Sequence, residues 1–301
     1  MCHNNNPLVS VITPTYKRPE KLPRAIDSVL NQTYPNVEII VVDDNNPDTE
    51  GRKLTEEIMA EYEDNPRVKY LKHEKNKNGS AARNTGARNS SAKYLAFLDD
   101  DDEFLPTKIE AQVNALESRS DEWALCYTKY FNKKPNCKPV VSTECREGNL
   151  YKEALMQKIC IAGGSNLFVR KTAFDEVGGF NELFLRNQDH EFLVKLLRRY
   201  KIAFADVPGL IVYVHDGPST VDYETVVERY LDSFSEYINT LSATEQRELH
   251  RSLNETRFIH FLTDKKDFKS ALKLVFYNEV SVIGICKRIC ESLIINLKGR
   301  L

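Results

Sequence analysis

The sequence predicts an α/β fold: a mainly parallel sheet flanked by helices, with a helical region appended at the C-terminal end. Three features carry that expectation. Strand-like apolar runs alternate with segments of helical period through the first third of the chain, the rhythm of a parallel sheet with right-handed crossovers. Tyr94–Leu98 is apolar on both faces, as a central parallel strand is, and four carboxylates, Asp99, Asp100, Asp101 and Asp102, follow it at once. Beyond Asp222 the pattern is helical to the end.

Taken in order, residues 1–6 are polar and expected to be disordered. Leu8–Thr13 is a β-branched run that makes the first strand, and prolines mark Pro14–Pro19 as a loop. In Glu20–Asn31, residues Leu22, Ala25, Ile26, Val29 and Leu30 fall at helical spacing. Val37–Val42 is a second strand, ending in the acidic, turn-rich Asp43–Pro47. Lys53–Glu63 reads as a helix, Val68–Leu71 as a third strand, and Gly79–Asn89 as a helix whose small residues suit close packing on a sheet. After Tyr94–Leu98 and its acids, Leu105–Leu116 reads as a helix, Trp123–Phe131 as a strand and Asn132–Glu147 as a polar connection. Ile161–Ser165 is a small-residue loop running into a strand at Asn166–Val169, and Gly178–Phe180 closes a short helix. Gln188–Glu191 opens another, with Phe192, Leu193, Leu196 and Leu197 on one face. Strands at Ile202–Val207 and Leu210–Val214 lead into His215. The sheet domain is expected over 7–218 and the helical region over 219–301.

Composition narrows the classes. A chain of 301 residues with 41% hydrophobic and 29% charged content has an ample core. Its formal net charge of -2 gives no basis for nucleic-acid binding. Seven cysteines form neither a CxxC pair nor a zinc-spaced cluster, and no secretory signal is visible; both point to reduced thiols in a cytoplasmic protein. No apolar stretch reaches the length of a membrane span.

In open α/β sheets ligands bind just outside the carboxyl ends of the strands, so the four acids fall where a site is expected. Like charges this close are neutralised by a cation or by shifted pKa values, and oxygen ligands favour Mg2+ or Mn2+. A solvated acidic turn capping the helix near Pro106 is the bland alternative; the buried strand directly before it tells against that. Val11–Pro19 contains no glycine, which argues against the phosphate loops of sugar-phosphate nucleotidylyltransferases and Rossmann dehydrogenases.

The segments VSVITPTYKRPEKLPRAIDSVLNQTYPNVEIIVVDD, AARNTGARNSSAKYLAFLDDDDEFLP, GGSNLFVRKTAFDEVGGFNE and QDHEFLVKLL resemble, in order and spacing, the family 2 glycosyltransferases of GT-A fold that build bacterial surface polysaccharide. The resemblance covers roughly 7–217. It implies an inverting, metal-dependent hexosyl- or N-acetylhexosaminyltransferase using Mn2+ or Mg2+. Such an enzyme moves a sugar from a nucleotide-sugar, a UDP-sugar first of all, to a saccharide or lipid-linked saccharide acceptor in capsule or lipopolysaccharide assembly. A non-catalytic sugar-nucleotide-binding or scaffolding relative is the alternative, and it should lack the base.

Carried over residue by residue, the resemblance places Pro14, Thr15 and Tyr16 beside the nucleoside, Asp43 on the base and Arg83 near base or phosphate. Asp99 and Asp101 match the D-x-D pair, Asp101 as direct metal ligand and Asp99 also near the ribose. Asp100, often a small residue in the family, is a third acid here and is grouped with the nucleotide contacts. His215 matches a metal-contacting histidine. Asp189 is the implied catalytic base, although Gln188 stands where the family has a first acid; Glu191 is its backup on the acceptor side. Gly163, Gly164 and Ser165 line that side.

From Asp264 to Leu301, eight lysines and arginines face four acids, interleaved with apolar residues such as Leu272, Val275, Phe276 and Ile283. A basic amphipathic helix of this kind either lies on an anionic membrane surface or packs on the catalytic domain or in a homodimer interface. The first case would put the protein peripherally on the inner face of the plasma membrane.

Overall fold

The computed structural model describes residues 6–214, 223–263, 265–276, 280, 281, 283, 285 and 286. The expected disorder of 1–5, the domain boundary at 218–219, His215 and most of the basic tail lie outside those residues. The chain divides into two compact units, one from 1–133, 141–154 and 158–213, the other from 134–140, 155–157 and 214–301.

The first unit begins with β1 (Val9–Thr15), α1 (Leu22–Leu30), β2 (Val37–Asp43), α2 (Glu50–Ala60), β3 (Val68–Lys72), α3 (Gly79–Arg88) and β4 (Tyr94–Phe97). These strands pair in parallel in the order β3-β2-β1-β4. All of β4 and its successor Leu98 are buried, as expected of an inner strand covered on both faces. Small residues on α3 have the expected role: a Cβ on Gly86 would sit 2.4 Å from Ile12 Cγ2 on β1, so only glycine lets helix and sheet approach this closely.

β1 runs two residues further than the proline pattern predicts. Pro14 and Thr15 pair with Val42 and Asp43 of β2, while the β4 pairing ends at Ile12. Beyond Ile12, β1 has a ladder partner on one side only, so a proline without an N–H is tolerated.

Past β4 come β5 (Glu103–Phe104), α4 (Lys108–Glu117), β6 (Trp123–Lys133), β7 (Val140–Val141), α5 (Tyr151–Leu155), β8 (Phe168–Arg170), α6 (Lys171–Glu176), α7 (Gln188–Leu197) and β9 (Lys201–Tyr213). Among the described residues these complete a nine-stranded sheet, ordered β3-β2-β1-β4-β8-β6-β9-β5, with β7 beside β6. β8 is antiparallel to both β4 and β6, β6 and β9 are parallel, and β5 is antiparallel to β9. The second half of the sheet is therefore mixed. The two strands expected at Ile202–Val207 and Leu210–Val214 are one strand, β9. Its Pro208-Gly209 is accommodated by register shifts against β6, and a Cβ on Gly209 would meet Thr128 Oγ1 at 2.4 Å.

The second unit contains α8 (Tyr223–Ser233), α9 (Ser235–Ile238), α10 (Ala243–Thr263) and α11 (Phe268–Phe276). Phe261, Ala271, Leu274, Val280 and Ile285 form a small core there, with Phe258 and Leu262 packed against it. Among the described residues no helix is long and apolar enough to cross a membrane.

Candidate active site

The four acids leave β4 as a tight turn, closed by Asp102 N donating to Asp99 O at 3.1 Å. Their side chains part ways. Asp100 turns back beneath β1, fully buried, where Thr15 Oγ1 donates to it at 2.8 Å and Arg18 pairs with it at 2.7 Å. Asp99, Asp101 and Asp102 face a cleft of about 450 Å3, which Arg83, Gly163, Gly164, Leu185, Arg186, Gln188, Asp189 and Tyr213 also line. The three carboxylates offer oxygen atoms within 4.8 Å of one another. An all-oxygen donor set of this charge suits a hard divalent ion, and Mn2+ or Mg2+ fits these residues.

Burial pushes Asp102 up to about 7, and the neighbouring charges of Asp99 and Asp101 add to the rise. Ser165 Oγ donates to Asp102 Oδ2 at 2.5 Å and Tyr213 N to Oδ1 at 3.1 Å. Asp100 is likewise raised to about 7 by burial, against the pull of Arg18 and Thr15. Asp101 pairs with Arg18, and Arg24 donates to its backbone carbonyl while lying 3.7 Å over the Tyr213 ring. The turn is thus held by arginines on one side and by the end of β9 on the other, where β5 pairs with β9 and brings Tyr213 alongside.

A deeper layer backs this arrangement. Lys108, fully buried, donates to Asn166 Oδ1 at 2.6 Å, and Asn166 Nδ2 donates to Thr128 O at 2.8 Å. Burial lowers the Lys108 ammonium to about 7. Ser165, next along from Asn166, also accepts from Asp99 N at 3.0 Å.

The first turn of α7 lines the same cleft. Asn187, in the left-handed region at φ 56°, turns the chain into the helix. The helix is anchored by Phe192, whose ring stacks on Phe180 at 4.3 Å, and Phe180 in turn meets Phe97 of β4 at 5.1 Å. Asp189 lies against Gly163, which has φ 61°, and a Cβ there would be 2.7 Å from Asp189 Oδ2. Arg83 spans the cleft's two sides: Nη2 pairs with Asp99, and Nη1 donates to Gln188 Oε1 at 2.9 Å. Added Cβ atoms at Gly79 and Gly164 would lie 3.0 and 3.2 Å from its guanidinium.

Of the residues expected from the sequence, the cleft brings together Asp99, Asp101, Arg83, Gly163, Gly164 and Asp189. Ser165 sits behind Asp102 and Asp99. Glu191 does not face the cleft; it is buried, pairs with Lys195 at 3.3 Å and is pushed up by burial. Asp43 is wholly buried. Asn45 N and Nδ2 donate to its Oδ1 at 2.8 Å each, while Tyr70 OH and Arg52 reach Oδ2 at 2.6 and 2.9 Å. Pro14 lies in the strand and Tyr16 is partly exposed. Asp102, Arg18, Arg186, Gln188 and Tyr213 were not singled out as site residues by sequence. Asp102 was within reach, as the last of the four acids, but nothing in its identity says that it faces the cleft and Asp100 does not.

The model of the family described as glycosyl transferase family 2 matches residues 10–178. A glycosyltransferase of Rickettsia prowazekii is 30% identical over 244 residues, covering 80% of this chain and 74% of its own length. One of Rickettsia felis is 30% identical over 89% of this chain, which spans 44% of that relative's length. TuaG of Bacillus subtilis, assigned to teichuronic acid biosynthesis, is 37% identical over 128 residues, 42% of this chain and 48% of TuaG. Among solved structures, S. aureus TarS 1-349 in complex with UDP-GlcNAc aligns with a TM-score of 0.64 at 19% identity, covering 86% of this chain and 74% of that one. That likeness is one of fold.

Proposed function

Because the chain belongs to glycosyl transferase family 2, we propose that it transfers a sugar, with inversion, from a UDP-sugar to a saccharide or lipid-linked saccharide during cell-surface polysaccharide assembly. The observation that carries this reading is that Asp189 and the acid cluster line one cleft. The UDP-GlcNAc complex of TarS and the role assigned to TuaG support donor class and pathway.

In this reading Asp189 accepts the proton of the acceptor hydroxyl as it attacks the anomeric carbon. The leaving diphosphate would lie toward Asp99, Asp101 and Asp102. General-base help of this kind contributes about 10^2–10^4-fold. Asp99, Asp101 and Asp102 would hold a divalent ion, which would supply charge neutralisation for the leaving diphosphate. Arg83 and Arg186 add fixed positive charge along the cleft. Gly163 and Gly164, lacking side chains, leave room for the acceptor. Thr15 and Tyr16 border the nucleoside at the end of β1. An imide N–H of a pyrimidine would compete at Asp43 with the present donors Asn45 and Tyr70.

The test is UDP release from UDP-GlcNAc and related UDP-sugars by wild type and Asp189→Asn, with UDP affinity measured by calorimetry in Mn2+. The expected result is a loss of turnover of about 10^2-fold or more with UDP affinity retained. Turnover unchanged in Asp189→Asn would refute the assignment of the base. UDP binding without turnover in wild type, for every donor and acceptor offered, would favour the binding-only alternative.

A further inference from the structure

Helix α11 carries two apolar faces, and only one of them is used in the core. Ala271 and Leu274 are buried against Phe261 and Val280. Phe268, Leu272, Val275 and Phe276 are exposed, Phe268 to 62% and Leu272 to 66%. At 3.6 residues per turn these four fall within an arc of about 100°. Ala271 and Leu274 lie on another side of the helix. Lys269 and Lys273, both exposed, come next around the helix from the exposed apolar arc, and exposed Lys265 and Lys266 precede the first turn. Of the acids at this end, Asp264 lies outside the described residues and Asp267 is engaged in capping: its Oδ1 accepts from Ser270 N at 3.1 Å.

We propose that this outer face of α11 docks on an anionic lipid surface. The pattern is that of a helix lying in the plane of a membrane, with an apolar arc to enter the acyl boundary and flanking lysines to meet negative headgroups. A merely solvated helix would not put two phenylalanines and a leucine side by side in water. The charge selects the partner: four lysines along one short helix and its approach complement an anionic surface and gain nothing from a neutral one. The inference is independent of the chemistry assigned to the cleft, because it concerns a surface of the second unit alone.

The experiment is flotation of the full chain with vesicles of phosphatidylcholine alone and of phosphatidylcholine mixed with phosphatidylglycerol. The expected result is binding that depends on phosphatidylglycerol and weakens as salt is raised. The pair Phe268→Ser/Leu272→Ser should lower the partition coefficient by at least about tenfold. The pair Lys269→Gln/Lys273→Gln should lower it about 30-fold on anionic vesicles. All four positions are exposed, so melting temperatures should hold and keep the comparison interpretable. Failure of the wild type to float, equal flotation on both vesicle types, or insensitivity to both pairs would overturn the proposal. So would sedimentation equilibrium showing a dimer that Phe268→Ser/Leu272→Ser dissolves, since the face would then be covered by a second copy.

Discussion

Gly163→Ala perturbs the proposed base without touching it. The backbone at Gly163 has φ 61°, and an added Cβ would lie 2.7 Å from Asp189 Oδ2. Ordinary contact begins near 3.4 Å, so the carboxylate must retreat by about 0.7 Å, or the loop must yield by as much. A left-handed alanine adds about 1–2 kcal/mol of backbone cost, which lowers the melting temperature by about 1.5–3 °C in a chain of 301 residues. A misplacement of about 1 Å costs roughly 10^2-fold in a reaction that depends on alignment. The expected result is therefore a kcat about 10–10^2-fold below wild type, with UDP affinity in Mn2+ falling far less, because the added Cβ meets Asp189 and none of Asp99, Asp101 or Asp102. Initial rates of UDP release and calorimetric UDP titration measure the two quantities. If kcat holds while the melting temperature falls, Asp189 is not aligned by this loop. If UDP affinity falls as far as kcat, the damage is not confined to the base.

Gln188→Glu sets a second anion against Arg83 in competition with Asp99; Mn2+ titrations should show severalfold tighter binding, whereas a retained Arg83–Asp99 pair would leave the affinity unchanged. Asp102 carries a proton more readily folded than unfolded, so its contribution to stability is complete below about 3.8 and is lost as pH rises through about 7. Wild type without divalent ion should thus lose roughly 2 kcal/mol relative to Asp102→Asn between pH 5 and 7.5 in urea titrations, and Mn2+ should shrink that difference by favouring the ionised form. Lys108 has the opposite sign: its pKa is lowered from 10.5 to about 7, so its contribution is present above 10.5 and is lost as pH falls through about 7. Relative to Lys108→Met, wild type should gain about 1–2 kcal/mol between pH 7 and 8.5; parallel curves would show that Lys108 is not charged against its burial.

The parallel half of the sheet was legible because β1, β2 and β4 are largely buried on both faces and so read as mostly apolar runs: Val37–Val42, interrupted by Glu38 alone, and Tyr94–Leu98. The mixed half was less so. β5 is two residues long, too short for any periodicity, yet it places Tyr213 against Asp102. Pro208-Gly209 reads as a turn from local preference alone. The strand continues through it because Gly209 must pass within contact of Thr128, a tertiary demand that no window of sequence contains. In the site, the acid run stood out by type and position, and Asp189 only through the family resemblance. What could not be read was the division of labour inside repeated acids. Asp43 and Asp44 are adjacent and alike, yet Asp43 binds Arg52 and Tyr70, while Asp44 gathers His73 and the 76–78 loop, accepting from His73 Nδ1, Lys77 N and Asn78 N. Of Asp99 to Asp102 only Asp100 turns from the cleft, and only backbone geometry assigns each carboxylate its side.

Arg83 shows why the two sides of the cleft have to be considered as one device. Its guanidinium holds Asp99 of the acid cluster with one nitrogen and Gln188, neighbour of Asp189, with another. The distance between donor and base sides is therefore fixed by a rigid planar group as well as by the packing of Phe97, Phe180 and Phe192. Two glycines make that span possible, since Gly79 and Gly164 flank the guanidinium where side chains would crowd it. The departure from the family's acid pair at Gln188 then acquires a physical meaning. A neutral amide accepts one hydrogen bond from Arg83 without competing for its charge, leaving that charge to Asp99. With a glutamate in its place Arg83 would be shared between two anions, and the acid cluster would carry more uncompensated charge. The glutamine thus lowers the electrostatic demand on the cleft in the absence of donor, while the bridge between α7 and the acids is kept.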